Sequence, residues 1–375
     1  MDAKDSLLIP IFQLILSIFT NMKKMEYRVI GVMSGTSLDG LDLVFAEINF
    51  NDEVDFSIVN SETIPYSAEW RQKLSSAINL DPAALHQLDV EYTSYLSNVI
   101  SQFIQKNDID LLDAVCSHGH TVKHRPKDGI TLQIGNLPQL GKALGIPVVC
   151  DFRVQDVELG GQGAPLVPIG DKLLFNQYKY CINLGGFANI SQEKDSQRIA
   201  YDICPVNTVS NYFMQKIGEE YDENGKLARS GELNEELLEE LNSLKFYRKK
   251  PPKSLGVEWV NSDILPLIEK YKIEIPEILK TYTVHVAIQI AKSLDDDPSS
   301  DVLLTGGGVF NTYLIEELKL RSSCNFIIPD NQVIDFKEAL IFALLGVLKL
   351  RGEINVLSSV TGAKIDHSSG RIYEP

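Results

Sequence analysis

Twice along this chain an apolar strand pattern runs into a short glycine turn and out again into a second strand, first over residues 29 to 48 and again over residues 180 to 203. The residues differ between the two copies, so what recurs is an architecture and not a repeat array. That recurrence limits the fold. One hydrophobic core seldom organises 375 residues, and a strand, turn and return strand opening each half predicts two α/β lobes with a cleft between them.

In the first half, Tyr27 to Met33 reads as a strand, Ser34-Gly35-Thr36-Ser37-Leu38-Asp39-Gly40 as the turn, and Leu41 to Ile48 as the return strand. Asp81-Pro82 starts a long helix with N-cap chemistry and proline at its first position. Leu85, Leu88, Tyr92, Leu96, Val99 and Phe103 then follow on one face. Strands at Leu111 to Cys116 and Pro147 to Cys150 lead into Ser117-His118-Gly119-His120-Thr121 and Asp151-Phe152-Arg153. Both place polar side chains just beyond a strand end, where open α/β sheets keep their ligand chemistry.

In the second half, Tyr180 to Leu184, Phe187 to Ser191 and Arg198 to Ile203 read as strands around Gly185-Gly186. Helices follow at Leu233 to Leu244 and Pro276 to Leu294, then a strand from Asp301 to Thr305 closed by Gly306-Gly307-Gly308. A last helix, Lys337 to Leu350, carries Glu338 in its first turn. The expected division is an extension over 1–25, a first lobe over 26–153 and a second over 154–375, whose C-terminal helix packs back on the first.

A formal net charge of −16 argues against sequence-independent nucleic-acid binding, which needs a basic face. An anionic ligand must then be held locally, by backbone amides, a metal ion or a few placed cations. Five cysteines, scattered and without a C-x-x-C pair, suggest neither a disulfide framework nor a zinc site and fit a reducing, cytoplasmic setting. The apolar run Ser6 to Thr20 is short for a membrane span and lacks the flanks of an export signal, so no membrane association is expected. Met22 or Met25, just before the first strand, is the expected start of translation.

The first turn, Gly35 to Gly40, offers amides, hydroxyls and the Asp39 carboxylate, a set able to meet phosphate oxygens and orient Mg²⁺ or its waters. The same residues also serve hairpins that merely turn. No G-x-x-x-x-G-K-[ST] or G-x-G-x-x-G follows the first strand, which removes the P-loop and Rossmann readings. Gly185-Gly186 and Gly306-Gly307-Gly308 would let backbone pack against a nucleotide, although tight structure explains either alone. Asp202, before Cys204-Pro205-Val206-Asn207, reads either as a general base or as the cap of a helix beginning near Pro205. His118, His120 and His124 lack the spacing of a metal site.

Taken in order from Tyr27 onward, the chain resembles the anhydro-N-acetylmuramic acid kinases. The resemblance is carried by Gly31-Val32-Met33-Ser34-Gly35-Thr36-Ser37-Leu38-Asp39-Gly40, Ser117-His118-Gly119, Leu132-Gln133-Ile134-Gly135, Asp151-Phe152-Arg153 and Leu159 to Pro168, then by Asn183-Leu184-Gly185-Gly186, Gly306-Gly307-Gly308 and Val360-Thr361-Gly362-Ala363. It implies an actin, hexokinase and Hsp70-like fold with ATP between the lobes. It also implies an activity in murein recycling: water opens the 1,6-anhydro bond of the sugar at the anomeric carbon, and the released O6 takes the γ-phosphoryl group.

By the same resemblance Asp202 is the general base, Glu338 an acid facing the sugar, and Gly35, Thr36, Ser37, Leu38, Asp39, Gly40, Leu41 and Asp42 the phosphate cradle. Gly185, Gly186, Gly306, Gly307 and Gly308 lie on the nucleotide side, and Mg²⁺, with Asp39 as its expected ligand, balances the phosphates. His118, Arg153 and Gln162 are expected sugar contacts by position and chemistry, Arg153 on the lactyl carboxylate. A homodimer is a family-level expectation.

The chain departs from the family pattern in four places. Asp202-Ile203-Cys204-Pro205-Val206-Asn207 stands for Asp-Thr-Gly-Pro-Gly-Asn, His120 for glutamine, Lys123 for tryptophan, and Lys253-Ser254-Leu255-Gly256 for Lys-Ser-Thr-Gly. The competing readings are a nucleotide and sugar switch whose chemistry has decayed, and a sugar-responsive regulator, for which the chain shows no basic DNA-binding appendage.

Overall fold

The computed structural model describes residues 24–35 and 37–375. The readings made for the extension therefore fall outside the described residues except at its last two positions, and so does the one made for Thr36.

In chain order the strands are β1 (Glu26–Ser34), β2 (Gly40–Phe50), β3 (Val54–Pro65), β4 (Ala114–Arg125), β5 (Ile130–Ile134), β6 (Val148–Cys150), β7 (Tyr180–Leu184), β8 (Phe187–Lys194), β9 (Gln197–Pro205), β10 (Asp301–Thr305), β11 (Asn325–Ile327) and β12 (Arg371–Tyr373). They form two sheets. The first runs β12-β6-β4-β1-β2-β3, with β5 paired to β4, and the second runs β11-β10-β7-β8-β9. In each, three antiparallel strands of a meander (β1-β2-β3, β7-β8-β9) are extended by two parallel strands beside the first (β4 and β6, β10 and β11). The same strand order with the same directions in both sheets is the actin-like, ribonuclease H-like plan, and it supplies the duplication that the residues themselves do not.

Five helices organise the layers: α1 (Pro82–Lys106), α2 (Pro168–Leu174), α3 (Asn207–Gln215), α4 (Ile275–Ala291) and α5 (Asn331–Leu350). Helix α1 starts where proline and a capping aspartate predict it, with Asp81 accepting from the amides of Ala83 and Ala84. Its stripe Leu88, Tyr92, Leu96, Ile100 and Phe103 covers Ile30, Val32, Leu43 and Val115 on one face of the first sheet. The opposite face, Val29, Val44, Ala46, Ala114 and Val149, packs on Leu340, Ala343, Leu344 and Val347 of α5. The same cluster takes in Cys181 and Leu303 of the second sheet, so α5 is shared by both lobes. Tyr282, Val286 and Ile290 of α4 cover the far face of that sheet.

Several expectations are corrected. The polar run Ser117 to Thr121 does not follow a strand end. It lies inside β4, which continues to Arg125 because Gly119 takes a left-handed φ of 71°. Helix α5 begins at Asn331, capped by Asp330, so Glu338 sits two turns in and not in the first turn. Residues 331–350 pack on the first sheet and residues 371–373 pair with it. No helix among the described residues is long and apolar enough to cross a membrane, and all five cysteines are buried and free.

Helix α5 approaches β1 so closely that a Cβ on Gly31 would meet the carbonyl oxygen of Ala339 at 2.0 Å. Backbone on both sides cannot yield as a side chain would. Gly31→Ala is expected to lower unfolding stability by about 1–3 kcal/mol, the usual cost of overpacking, read as a reduced midpoint in urea denaturation.

Candidate active site

Where β1 hands over to the turn at Gly35, a buried chain of hydrogen bonds fixes the backbone. Ser34 Oγ lies 2.7 Å from the Tyr66 hydroxyl and 2.9 Å from His120 Nδ1, and Tyr66 meets the Tyr92 hydroxyl at 2.5 Å. Burial pushes the Tyr66 phenol up to about 12 and the His120 imidazole down to about 4, so the chain is uncharged at neutral pH. Beyond it, Leu38 adopts a φ of 61°, rare for a bulky residue. Loops at ligand sites often carry such strain.

At the far end of the turn the half-buried Asp42 accepts a 2.6 Å hydrogen bond from Thr63 Oγ1. Burial raises its carboxyl, and the neighbouring charges of Asp335 and Asp39 push the same way. Glu338 of α5 joins this acidic group. Its side chain is open to solvent, yet protein crowds it on enough sides that desolvation raises its carboxyl, with Arg153 opposing and Asp42 reinforcing. A carboxylate both solvent-reachable and crowded lies on the floor of a cleft.

Arg153 is the cation that this floor faces. Its Nε donates to His118 Nε2 at 2.8 Å and its Nη1 to the carbonyl of Gly163 at 2.6 Å. His118 Nδ1 lies 2.8 Å from the carbonyl of Gly119, so it carries the proton and Nε2 is the acceptor. Burial first, then the Arg153 charge, keeps this imidazole neutral. Both ring nitrogens of His118 are thus engaged within the protein and the ring is buried. His118 orients Arg153 and has no nitrogen left for a ligand.

Asp156, which the sequence did not single out, builds the loop beside Arg153. Fully buried, it accepts from the Gly163 amide (2.7 Å) and from Thr361 Oγ1 (2.7 Å). A Cβ on Gly161 would fall 2.2 Å from its carboxylate, which is why glycine stands there. The Gln162 amide donates to the Thr361 carbonyl at 2.9 Å, leaving the Gln162 side chain exposed. Nothing in Val154-Gln155-Asp156-Val157-Glu158 distinguishes Asp156 from an ordinary helical acid. Its partner is 205 residues away.

On the second lobe the glycine turns come together. Gly306 takes a φ of 81° and its missing Cβ leaves room for Asn183 Oδ1 and the Leu184 backbone, while Gly308 lies against Leu184. The amides of Val206 and Thr208 donate to the Gly186 carbonyl, and that of Asn207 to Gly185. A Cβ on Gly307 would meet nothing nearer than Asn207 Nδ2 at 4.0 Å. The surface above it is open, a cradle of backbone.

Asp202 does not cap α3, whose N-cap is Val206. It lies within β9, the edge strand, where the register to β8 slips and leaves Ile203 as the extra residue. Asp202 Oδ2 accepts from the Leu255 amide at 2.7 Å, and burial raises the carboxyl against the opposing pull of that bond and of Lys253. No hydrogen bond or ion pair joins Asp202 to Glu338 or Arg153 among the described residues. The arrangement thus has two halves: Asp39, Asp42, Glu338, Arg153 and His118 on the first lobe and α5, and Asp202 with the glycine turns on the second.

The chain matches the family model described as anhydro-N-acetylmuramic acid kinase over residues 27–375. Curated proteins of that name are similar along almost their whole length. The one from Sulfurimonas denitrificans is 32% identical, covering 92% of this chain and 99% of its own. The one from Pasteurella multocida is 33% identical over 94% and 98%, and the one from Haemophilus influenzae 32% over 94% and 99%. Among solved structures, a ROK family glucokinase from Streptomyces griseus aligns with 85% of this chain and 99% of its own at 12% identity and a TM-score of 0.38, a distance at which it bears on neither fold nor function.

Replacing Asp156 by alanine removes the acceptor for two buried donors, a change that costs about 2–5 kcal/mol where a buried charged hydrogen-bond network is broken. In Asp156→Ala, amide hydrogen exchange is expected to accelerate at residues 160–163 and 360–363 before it does in β4 or α5.

Proposed function

The chain belongs to the anhydro-N-acetylmuramic acid kinase family, and on that premise we propose that the two halves of its cleft divide the family's reaction between them. The protein is an ATP-dependent sugar kinase. It opens the 1,6-anhydro bond of anhydro-N-acetylmuramic acid with water and phosphorylates O6, giving N-acetylmuramic acid 6-phosphate and ADP.

The observation that carries the division is Asp202. A half-buried carboxylate with raised basicity, held by one backbone amide and with no partner for its second oxygen among the described residues, suits a general base. Asp202 takes a proton from the water that attacks the anomeric carbon. The C1–O6 bond breaks, and O6 leaves onto the γ-phosphorus instead of onto an acid, so phosphoryl transfer replaces the protonation a glycosidase would use.

On the first lobe, Gly35, Ser37 and Gly40 offer backbone amides to the phosphates, Thr36 belongs to the same segment, and Leu38, whose amide closes the turn on the Gly35 carbonyl, and Leu41, paired within the sheet, hold its shape. Gly185, Gly186, Gly306, Gly307 and Gly308 let the nucleotide lie against backbone. Support for this fit is the open space where a Gly307 side chain would be. Mg²⁺, when bound, offsets the charge of the phosphates. Asp39 and Asp42 supply carboxylate oxygens of the right hardness for it.

Glu338 hydrogen-bonds the sugar from the cleft floor. Arg153 meets the lactyl carboxylate with Nη2 and the free hydrogen of Nη1, since Nε is committed to His118 and the other Nη1 hydrogen to Gly163. His118 serves by holding the guanidinium, and Gln162 reaches the sugar from the loop that Asp156 builds. The buried free cysteines suit a cytoplasmic setting.

Incubation with ATP and the anhydro sugar in ¹⁸O-water is expected to place one label at the anomeric carbon for each ADP formed. Tight binding of both ligands without a phosphorylated product would instead make the protein a nucleotide and sugar switch.

Asp202→Asn is expected to keep the fold and lose about 10²- to 10⁴-fold in turnover. A base works deprotonated and its carboxyl is raised, so wild-type kcat/KM should fall on acidification through a pH above the ordinary aspartate value of 3.8. That acidic limb should be absent from the residual activity of the variant.

A further inference from the structure

The segment just after Pro251-Pro252 lies along the open edge of the second sheet and touches it at one place. Strand β9 is the edge, so the outward amide of Asp202 has no strand to pair with. The Lys253 carbonyl accepts it at 3.0 Å. Two residues on, the Leu255 amide turns back and donates to Asp202 Oδ2 at 2.7 Å. Residues 253–255 thereby grip both the backbone and the carboxylate of a single residue.

Between these two bonds Lys253 projects over aromatic rings, its Nζ 4.7 Å from the centroid of Phe246 and 5.8 Å from that of Tyr201. Tyr201 is the residue preceding Asp202. An ammonium over two ring faces is attracted to both and is held near one place, where a free lysine would sweep a wide volume. It forms no ion pair with a carboxylate among the described residues, and its aliphatic stem is half-buried.

We propose that Lys253 is a positioning residue for the opening of the anhydro ring: the 253–255 strap clamps Asp202 and its fixed ammonium holds the carboxylate charged and aimed at the attacking water. The proposal rests on Asp202 being the base, as argued above. Few other charges compete. On the strand, Cys204 is a thiol that burial pushes far up and Tyr201 is a phenol pushed the same way, so both are neutral at physiological pH. Burial first, and then like-charge repulsion from Lys249 in the segment leading into the strap, lower the Lys253 ammonium from its ordinary value, with the Asp202 charge opposing them. Lys253 is accordingly the one cation among the described residues whose charge favours ionised Asp202.

The strap also accounts for a substitution. With leucine in place of the family's threonine at 255, that side chain brings no hydroxyl, but the contact to Asp202 is made by the backbone amide and does not depend on it.

The test compares Lys253→Met, Lys253→Gln and Lys253→Arg with the wild-type chain, each checked by thermal unfolding. In the methionine and glutamine variants the acidic limb of kcat/KM for the sugar should move to higher pH by about half a unit, a shift reduced from that of a buried pair because the lysine is half-exposed. Turnover at neutral pH should fall about threefold, the factor that half a pKa unit represents, with KM for ATP unchanged. Lys253→Arg should restore the limb. In an Asp202→Asn background, Lys253→Met should cost nothing further. A limb that stays at its wild-type position in both neutral variants overturns the proposal, even where turnover drops. If Asp202→Asn is inactive while the limb is unmoved, only the strap is refuted. If Asp202→Asn turns over normally, the base assignment falls and the strap falls with it.

Discussion

Helix α5 is packed on both sides by sheets, and the rest of the molecule is arranged around that fact. A helix with a sheet on each face must be apolar nearly all round, and residues 339 to 348 are buried without a break. Close approach is secured by absent side chains, at Gly31 under Ala339 and at Gly346, where a Cβ would lie 2.1 Å from Cys116 Sγ. Where α5 leaves the fully apolar layer, Lys337 pairs with the buried Asp171 of α2 at 2.6 Å, and Arg198 of β9 approaches the other oxygen at 4.0 Å. The two cations come from different lobes and share one carboxylate. Removing that carboxylate would strand two buried charges, a larger penalty than the pair's own net worth.

The same helix carries Glu338 one residue beyond Lys337, so the register fixed by the buried ion pair also fixes the cleft floor. There, Asp42 lies among Asp39, Asp335 and Glu338, while Arg153 and Lys337 both act on Glu338. Arg153 favours the charge on Glu338, but burial outweighs it and the carboxyl is raised on balance. Asp42 is raised as well, with Asp39 and Asp335 adding to the burial effect.

How much of this was legible in the sequence depends on how local each cause is. Strands β7 and β10 have the bounds that their apolar runs predict, and α1 starts at its capping aspartate and proline, because turn and cap chemistry act over a few residues. The run Ser117 to Thr121 misleads, since buried polar side chains look like loop. They are tolerated within β4 because partners arrive from elsewhere: Ser34 for His120, and Arg153 with the Gly119 carbonyl for His118. Asp156 with Thr361, Asp202 with Leu255 and Lys337 with Asp171 are pairings between residues far apart in the chain, and no periodicity announces them. Asp39 and Asp202 stood out from turn chemistry and position, and Glu338 from its helix, but their roles came from resemblance. What each one touches came only from the fold.

The stretch beside Asp202 shows how those two kinds of information combine. Replacing the glycines of the family pattern with Cys204 and Val206 removes access to left-handed backbone, which would matter if the path required it. No residue from Ile203 to Val206 has a positive φ, so the path uses no left-handed backbone; Val206, at φ −125° and ψ −92°, lies outside the helical and extended regions. The bend that turns Asp202 is made by a bulge, with Ile203 as the extra residue buried in the core and Cys204 and Val206 packed beside it. Bulges bend the strand and re-aim a side chain. The apolar substitutes gain burial in return, anchoring the inner side of β9 while the 253–255 strap anchors its outer side. Asp202 is thereby held from both sides of one strand.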